Sequence, residues 1–200
     1  MCIRDRAQVG KSSVLSMICY YGRQRMHKAV TDVIYLSLEE VDDEDDFYAA
    51  LCHKLGIDTL RGFKLRRALE GRRYVLCIDE GEKLYWDQFG FTRKMRSHLR
   101  GLADGVDELF TLVVASRSTL ALLTSDSPEL DSSLAGICHQ IDVGPFFYRE
   151  ACAFLGQRLH ATGIVFTPAH IDGLFAQSGG HPGRLQRAAA NLYHQLSQSG

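Results

Sequence analysis

Four short stretches of this 200-residue chain hold side chains that could do chemistry together. The first is Gly10-Lys11-Ser12-Ser13, which opens a run of helical spacing and matches the second half of the phosphate loop Gly-x-x-x-x-Gly-Lys-[Ser/Thr]. Each residue type has a physical task. Val9 and Gly10 turn backbone N–H groups toward an anion, and the start of the helix adds partial positive charge there. Lys11 reaches the β- and γ-phosphates, and the hydroxyl of Ser12, followed by Ser13, ligates Mg²⁺. The first glycine of the motif belongs at position 5, where this chain carries Asp5, so a carboxylate stands beside the expected phosphates.

The second stretch is Tyr74-Val75-Leu76-Cys77-Ile78 followed by Asp79-Glu80, an apolar strand that ends in adjacent acids. At a strand tip Asp79 can hold the Mg²⁺ shell while Glu80 orients and deprotonates an attacking water. The competing reading is ordinary acid capping of the next helix, and the lysine motif upstream weighs against it. The third stretch, Val113-Val114-Ala115-Ser116-Arg117, sets polar groups at the C-terminal end of another strand, where doubly wound sheets bind ligands. Ser116 or Arg117 could meet a γ-phosphate. Arg117 suits the task because a guanidinium binds phosphate bidentately, although a plain surface arginine is an equal alternative. The fourth stretch, Ser178-Gly179-Gly180-His181-Pro182-Gly183-Arg184, fits a junction where one helix ends in glycine and the next begins at proline.

These stretches need a scaffold that brings them to one edge, and the pattern from Val9 onward alternates strand and helix, as in a parallel sheet covered on both faces. Helices are expected over 11–27, 47–55, 60–70 and, despite Gly90, most of 82–102; strands are expected over 32–38, 74–78, 109–115 and 137–143. After Gly144-Pro145 only helices follow, over 149–162, 168–177 and 183–197. The fold class is therefore α/β, a P-loop three-layer sandwich with a mostly parallel sheet plus a small C-terminal helical lid. Residues 7–145 form the core and 146–200 the lid. Residues 1–6 show neither helix nor strand patterning and read as a leader foreign to the native sequence, so the first strand is expected to be missing and the chain to be a fragment.

Composition excludes other classes. With 46% apolar and 24% charged residues the chain can bury a core, and a net charge of -1 gives no general attraction to nucleic acid or anionic membranes. No apolar run is long enough to span a bilayer. The six cysteines lack any Cys-x-x-Cys pair and read as reduced thiols of a cytoplasmic protein. The acidic run of residues 39–46 precedes a helix whose dipole favours negative charge, which explains it as capping. Arg93, Lys94, Arg96, His98 and Arg100 have no interleaved aromatics and read as a solvated helix face. No histidine spacing suggests zinc.

Taken together, Gly10-Lys11-Ser12-Ser13, Asp79-Glu80, Ala115-Ser116-Arg117 and Gly180-His181-Pro182 resemble the successive motifs of the signal-transducing ATPases with numerous domains. That group, the STAND branch of P-loop ATPases, lies close to the AAA+ and origin-recognition-type ATPases. The resemblance runs from Ala7 to about Gln195 and includes Gly144-Pro145-Phe146. It implies an ATPase that binds ATP or ADP with Mg²⁺ and works as a conformational switch in a larger signalling or defence protein. It also implies effector or sensor domains in the flanks and allows a nucleotide-dependent homo-oligomer. By the same resemblance Pro182 packs near the adenine, and Arg184, with a one-residue shift, serves as a second phosphate sensor. Two alternatives remain: a DNA-associated AAA+ loader or transposition helper, and an inactive nucleotide-binding module. A small-molecule kinase suits the acid pair less well.

Overall fold

In the computed structural model, residues 2–4, 10–25, 27, 29, 32–105, 108–119, 134 and 137–198 are described, with backbone only for 2–4. They divide by contacts into two compact units, one of Cys2–Arg4 with Lys11–Asp142 and one of Gly10 with the residues from Val143 onward.

The first unit is built on five parallel strands in the order β2-β3-β4-β1-β5. These are β1 (Cys2–Arg4), β2 (Val33–Ser37), β3 (Tyr74–Asp79), β4 (Phe110–Ser116) and β5 (Gln140–Asp142). All six residues of β3 are buried, which is why its sequence reads as a continuous apolar run and not as an alternation. Its register with β2 pairs Ser37 with Asp79, and its register with β4 pairs Ile78 with Val114. The three C-terminal tips therefore end at nearly the same level.

Sequence patterning leaves the place of a first strand empty, and here the structure corrects it. Cys2–Arg4 pairs in parallel with β4 on one side and β5 on the other. Three residues suffice because a strand between two neighbours is held by backbone ladder hydrogen bonds, which do not depend on an apolar side-chain pattern. Asp5 and Val9 lie outside the described residues.

Helices α1 (Lys11–Arg25), α2 (Glu44–Leu55) and α3 (Gly62–Leu69) are followed after β3 by α4 (Lys83–Trp86) and α5 (Arg93–Ala103). The acidic run behaves as the dipole argument expects: Asp43 caps α2, accepting the N–H groups of Asp45 and Asp46, and three further acids fill the first turn. The helix expected over 82–102 is instead two helices. Asp87 accepts the Gly90 N–H at 2.9 Å, Phe91 is fully buried in the connection, and the Thr92 hydroxyl caps α5 by accepting the Met95 N–H at 3.2 Å. A local aspartate turn plus a new N-cap thus outcompetes helix continuation. Arg96 is part of this join, donating to the Leu84 and Phe91 carbonyls at 2.7 Å each, so one member of the basic stretch is structural.

The second unit holds α6 (Tyr148–Leu159), α7 (Pro168–Ser178) and α8 (Pro182–Gln198) around Ala151, Leu155, Phe166, Leu174 and Leu185. Thr167 caps α7 with Pro168 in its first turn, and Gly179 ends it in a left-handed conformation at φ 59°. Gly180 is also left-handed, at φ 73°, and a Cβ there would stand 2.3 Å from the Phe146 carbonyl oxygen. That closeness lets the Phe146 N–H donate to the Gly180 carbonyl at 2.8 Å, tying the segment before α6 to the α7–α8 turn.

Candidate functional site

The site is assembled where β2, β3 and β4 end and where α1 begins. Gly10 has φ 97°, a value that an L side chain rarely adopts, although a Cβ there would meet nothing within 4 Å. Its glycine is thus demanded by backbone conformation and not by crowding. Lys11 follows at the first turn of α1 and is buried at 6% exposure.

Asp79 closes β3 and is 3% exposed, so both of its oxygens need partners. Oδ1 accepts the Glu80 N–H at 3.0 Å, and Oδ2 accepts the Tyr35 hydroxyl at 2.8 Å. The Ser12 hydroxyl hydrogen-bonds the same Tyr35 oxygen, so Ser12 and Asp79 meet through one phenol. Burial, then the Asp79 carboxylate, pushes the Tyr35 hydroxyl well above its ordinary value, which keeps it a donor. Two residues distant in sequence are thereby brought together, and Tyr35 joins them without any sequence signal beyond its position in β2.

Glu80 leaves the strand with φ 54°, in the left-handed region where a non-glycine residue is uncommon. The next residue shows what imposes it. The Gly81 N–H donates to the Ala115 carbonyl at 2.8 Å, and a Cβ on Gly81 would stand 2.2 Å from Val114 Cγ1. The turn after β3 therefore lies tight against the end of β4, and Glu80 absorbs the sharp change of direction. Such strain costs of order 1–3 kcal/mol and persists only where the surroundings hold it.

Of the two candidates at the end of β4, Ser116 is fully buried and its Oγ accepts the Ser118 N–H at 3.1 Å. Arg117 is the half-exposed one, and three acids surround it. Its Nη2 pairs with Glu80 at 3.0 Å and lies 3.9 Å from Glu39, and its Nε lies 3.3 Å from Glu82. The partly exposed Arg117–Glu80 pair contributes on the order of 1 kcal/mol or less, little enough for a competing anion to displace. Burial pushes the Glu82 carboxyl up from its ordinary value, and the hydrogen bond with Glu80 adds to this, while the backbone N–H groups of Glu82 and Arg117 pull it back. Sequence reading passed over Glu82 and Tyr35. The available signal was an acid two residues after Asp79-Glu80, in a segment read there as the start of a helix.

In the second unit Pro182 begins α8 and Arg184 is exposed in its first turn. His181 caps that helix: its Nδ1 accepts the Arg184 N–H at 3.4 Å. Among the described residues no group of three histidine, cysteine or acidic side chains could hold a metal by itself, and no helix is long and apolar enough to cross a membrane. The five cysteines with described side chains are thiols. Cys19 of α1 hydrogen-bonds Cys77 of β3, and that bond, aided by Arg23, lowers Cys19 to about 7.

No protein-family model and no curated protein matches this chain. Solved structures do. The ORC2 protein of Aeropyrum pernix, in ADPNP-ADP complexes, superposes with a TM-score of 0.74 at 16% identity, over 100% of this chain and 57% of that one. A Walker-type ATPase of Pyrococcus abyssi gives 0.69 at 15% identity, covering 100% of this chain and 68% of the other. Domain III of the replication initiation protein DnaA from Thermotoga maritima gives 0.68 at 16%, covering 100% and 77%. The chain thus has the P-loop ATPase fold of these proteins, and it spans little more than half the length of the first.

Proposed function

We propose that this chain binds Mg-ATP and hydrolyses it, and that the cycle drives a conformational switch within a larger signalling or defence protein. The observation that carries the reading is the meeting of Asp79, Glu80 and Arg117 at adjacent strand tips, in a fold whose buried Lys11 opens the helix after a left-handed glycine. Sequence motifs alone could not say that these residues converge.

The donors suit Mg²⁺. A hard cation of this kind takes one or two protein oxygens and completes its shell with water and phosphate, and the Ser12 hydroxyl and Asp79 carboxylate are two oxygens already joined through Tyr35. Bound there, Mg²⁺ would neutralise charge on the β- and γ-phosphates. In this reading Val9, Gly10 and Ser13 bring backbone N–H groups to the phosphates and Lys11 adds a cation. Glu80 takes a proton from the attacking water at its carboxylate, and Arg117 presents its guanidinium to the γ-phosphate. The family resemblance assigns Pro182 to the adenine and Arg184 to phosphate sensing.

Calorimetric titration of Mg-ATP into the Lys11→Ala variant tests the reading. Affinity is expected to fall at least about a hundredfold, because an electrostatic anchor in a water-poor site is worth several kcal/mol. Equal affinity in the variant and the parent chain would reject it. A second reading, an ATPase that works on DNA, draws on the fold it shares with a replication initiator. ATP-dependent assembly in gel filtration, together with retention of duplex DNA, would favour that reading over a stand-alone switch.

A further inference from the structure

Glu82 sits two residues beyond Glu80, the base of the reading above, in the turn that leaves β3, and its side chain is 4% exposed. Both of its oxygens engage Arg117, beside the contact that Glu82 makes with the Glu80 carboxyl. Oε2 accepts the backbone N–H of Arg117 at 3.2 Å, and Oε1 lies 3.3 Å from the Nε of the same arginine. A guanidinium presents five N–H donors in a rigid planar fork, so engaging Nε leaves the two terminal nitrogens for other acceptors. One of them, Nη2, is the nitrogen that pairs with Glu80 at 3.0 Å. Arg117 is thus gripped at its inner end by a buried carboxylate and engaged at its outer end by the residue that is to act as base.

We propose that Glu82 is a positioning residue for ATP hydrolysis: it anchors the backbone and Nε of Arg117 so that the terminal nitrogens exchange between Glu80 and the γ-phosphate. The inference rests on the Mg-ATPase reading and adds the order of events. Without triphosphate, Arg117 holds the Glu80 carboxylate at 3.0 Å, so that carboxylate is engaged by the guanidinium and is not free to meet a water. A γ-phosphate offers more negative charge and oxygens spaced for the same fork, so it draws the terminal nitrogens away and frees Glu80. The anchor stays because breaking it would strand a buried acid, whereas the Glu80 contact is partly exposed and weaker. The Gly81 N–H bond to the Ala115 carbonyl at 2.8 Å keeps the turn carrying Glu82 in register with the strand end carrying Arg117.

The test uses the full chain with Glu82→Gln, Arg117→Ala and the double variant, with ATP affinity by calorimetry and turnover by steady-state kinetics. Glutamine keeps one oxygen and turns an NH₂ donor toward the second of the two Arg117 N–H groups, where a donor meets a donor. Glu82→Gln is therefore expected to lower kcat about ten- to a hundredfold with KM within about threefold, and Glu82→Asp, which keeps the charge, to fall between. Because Glu82 acts through Arg117, the double variant should turn over at the rate of Arg117→Ala alone. Losses that multiply, or a KM that moves with kcat, would overturn the proposal. A readout independent of turnover is hydrogen exchange at the Arg117 Nε, followed by ¹⁵N NMR. Glu82→Gln should speed it about tenfold, and ATPγS should shift the terminal nitrogens while leaving Nε in place. Unchanged exchange in the variant, or an Nε displaced by ATPγS, would also overturn it. Failure of the ATPase reading looks different: no heat on ATP titration into the parent chain.

Discussion

At the scale of single residues, Glu80 carries two burdens at once. Its carboxylate is placed beside Arg117, and its backbone is held at φ 54° by the tight approach of Gly81 to Val114. Under the ATPase reading, Glu80→Gln keeps the shape and removes the proposed proton acceptor, so ATP affinity should stay within about threefold while turnover drops about a hundredfold or more. Loss of binding with preserved turnover of bound ATP would show that another residue is the base. Glu80→Gly separates the second burden from the first. Relief of strain of about 1–3 kcal/mol outweighs the extra unfolded-chain freedom of glycine, about 0.5–1 kcal/mol. The variant should therefore lose hydrolysis yet melt no lower than the parent chain, and a clear fall in Tm would mean that the left-handed backbone carries little strain.

Among the elements, the order of the sheet decides which tips meet. β3 lies between β2 and β4, so the tyrosine of β2 and the arginine after β4 both flank the acids of β3. The contact that sets this spacing is a glycine. Gly81→Ala would drive a methyl to 2.2 Å from Val114 Cγ1 and 3.2 Å from the Ala115 carbonyl oxygen, against a strand that cannot retreat. Overpacking of this kind costs about 1–3 kcal/mol. A fall in Tm is expected together with a loss of turnover exceeding the loss of ATP affinity, since Asp79, Glu80 and Glu82 all shift while α1 does not. Unchanged kinetics in Gly81→Ala would show that the β3–β4 approach is not what positions the acids.

For the whole molecule, the two units carry separate cores, and the smaller rests on five buried apolar residues. Leu185 is fully buried there, and Leu185→Ala should cost about 2–5 kcal/mol, a large share of what so small a core supplies. In hydrogen–deuterium exchange, amides of α7 and α8 should then lose protection while those of β3 and β4 keep theirs; parallel loss in both would show one cooperative unit. The alternating pattern, the buried character of β3 and the acid pair at its end were legible in sequence, because apolar period and strand-end chemistry are local properties. The Gly-Gly-His-Pro junction between helices was legible for the same reason. Four features were not. The strand Cys2–Arg4 has no propensity signature, since its pairing comes from neighbours more than a hundred residues away in the chain. The break at Asp87–Thr92 depends on side-chain caps that compete with helix by a narrow margin. Tyr35 bridges Ser12 and Asp79, and Glu82 grips Arg117 across thirty-five positions, only because parallel strands set their C-terminal ends side by side. Sequence by itself determined which side chains stand at the strand ends, and tertiary structure alone decided which charges face one another, because register across a sheet is a property of the packed whole.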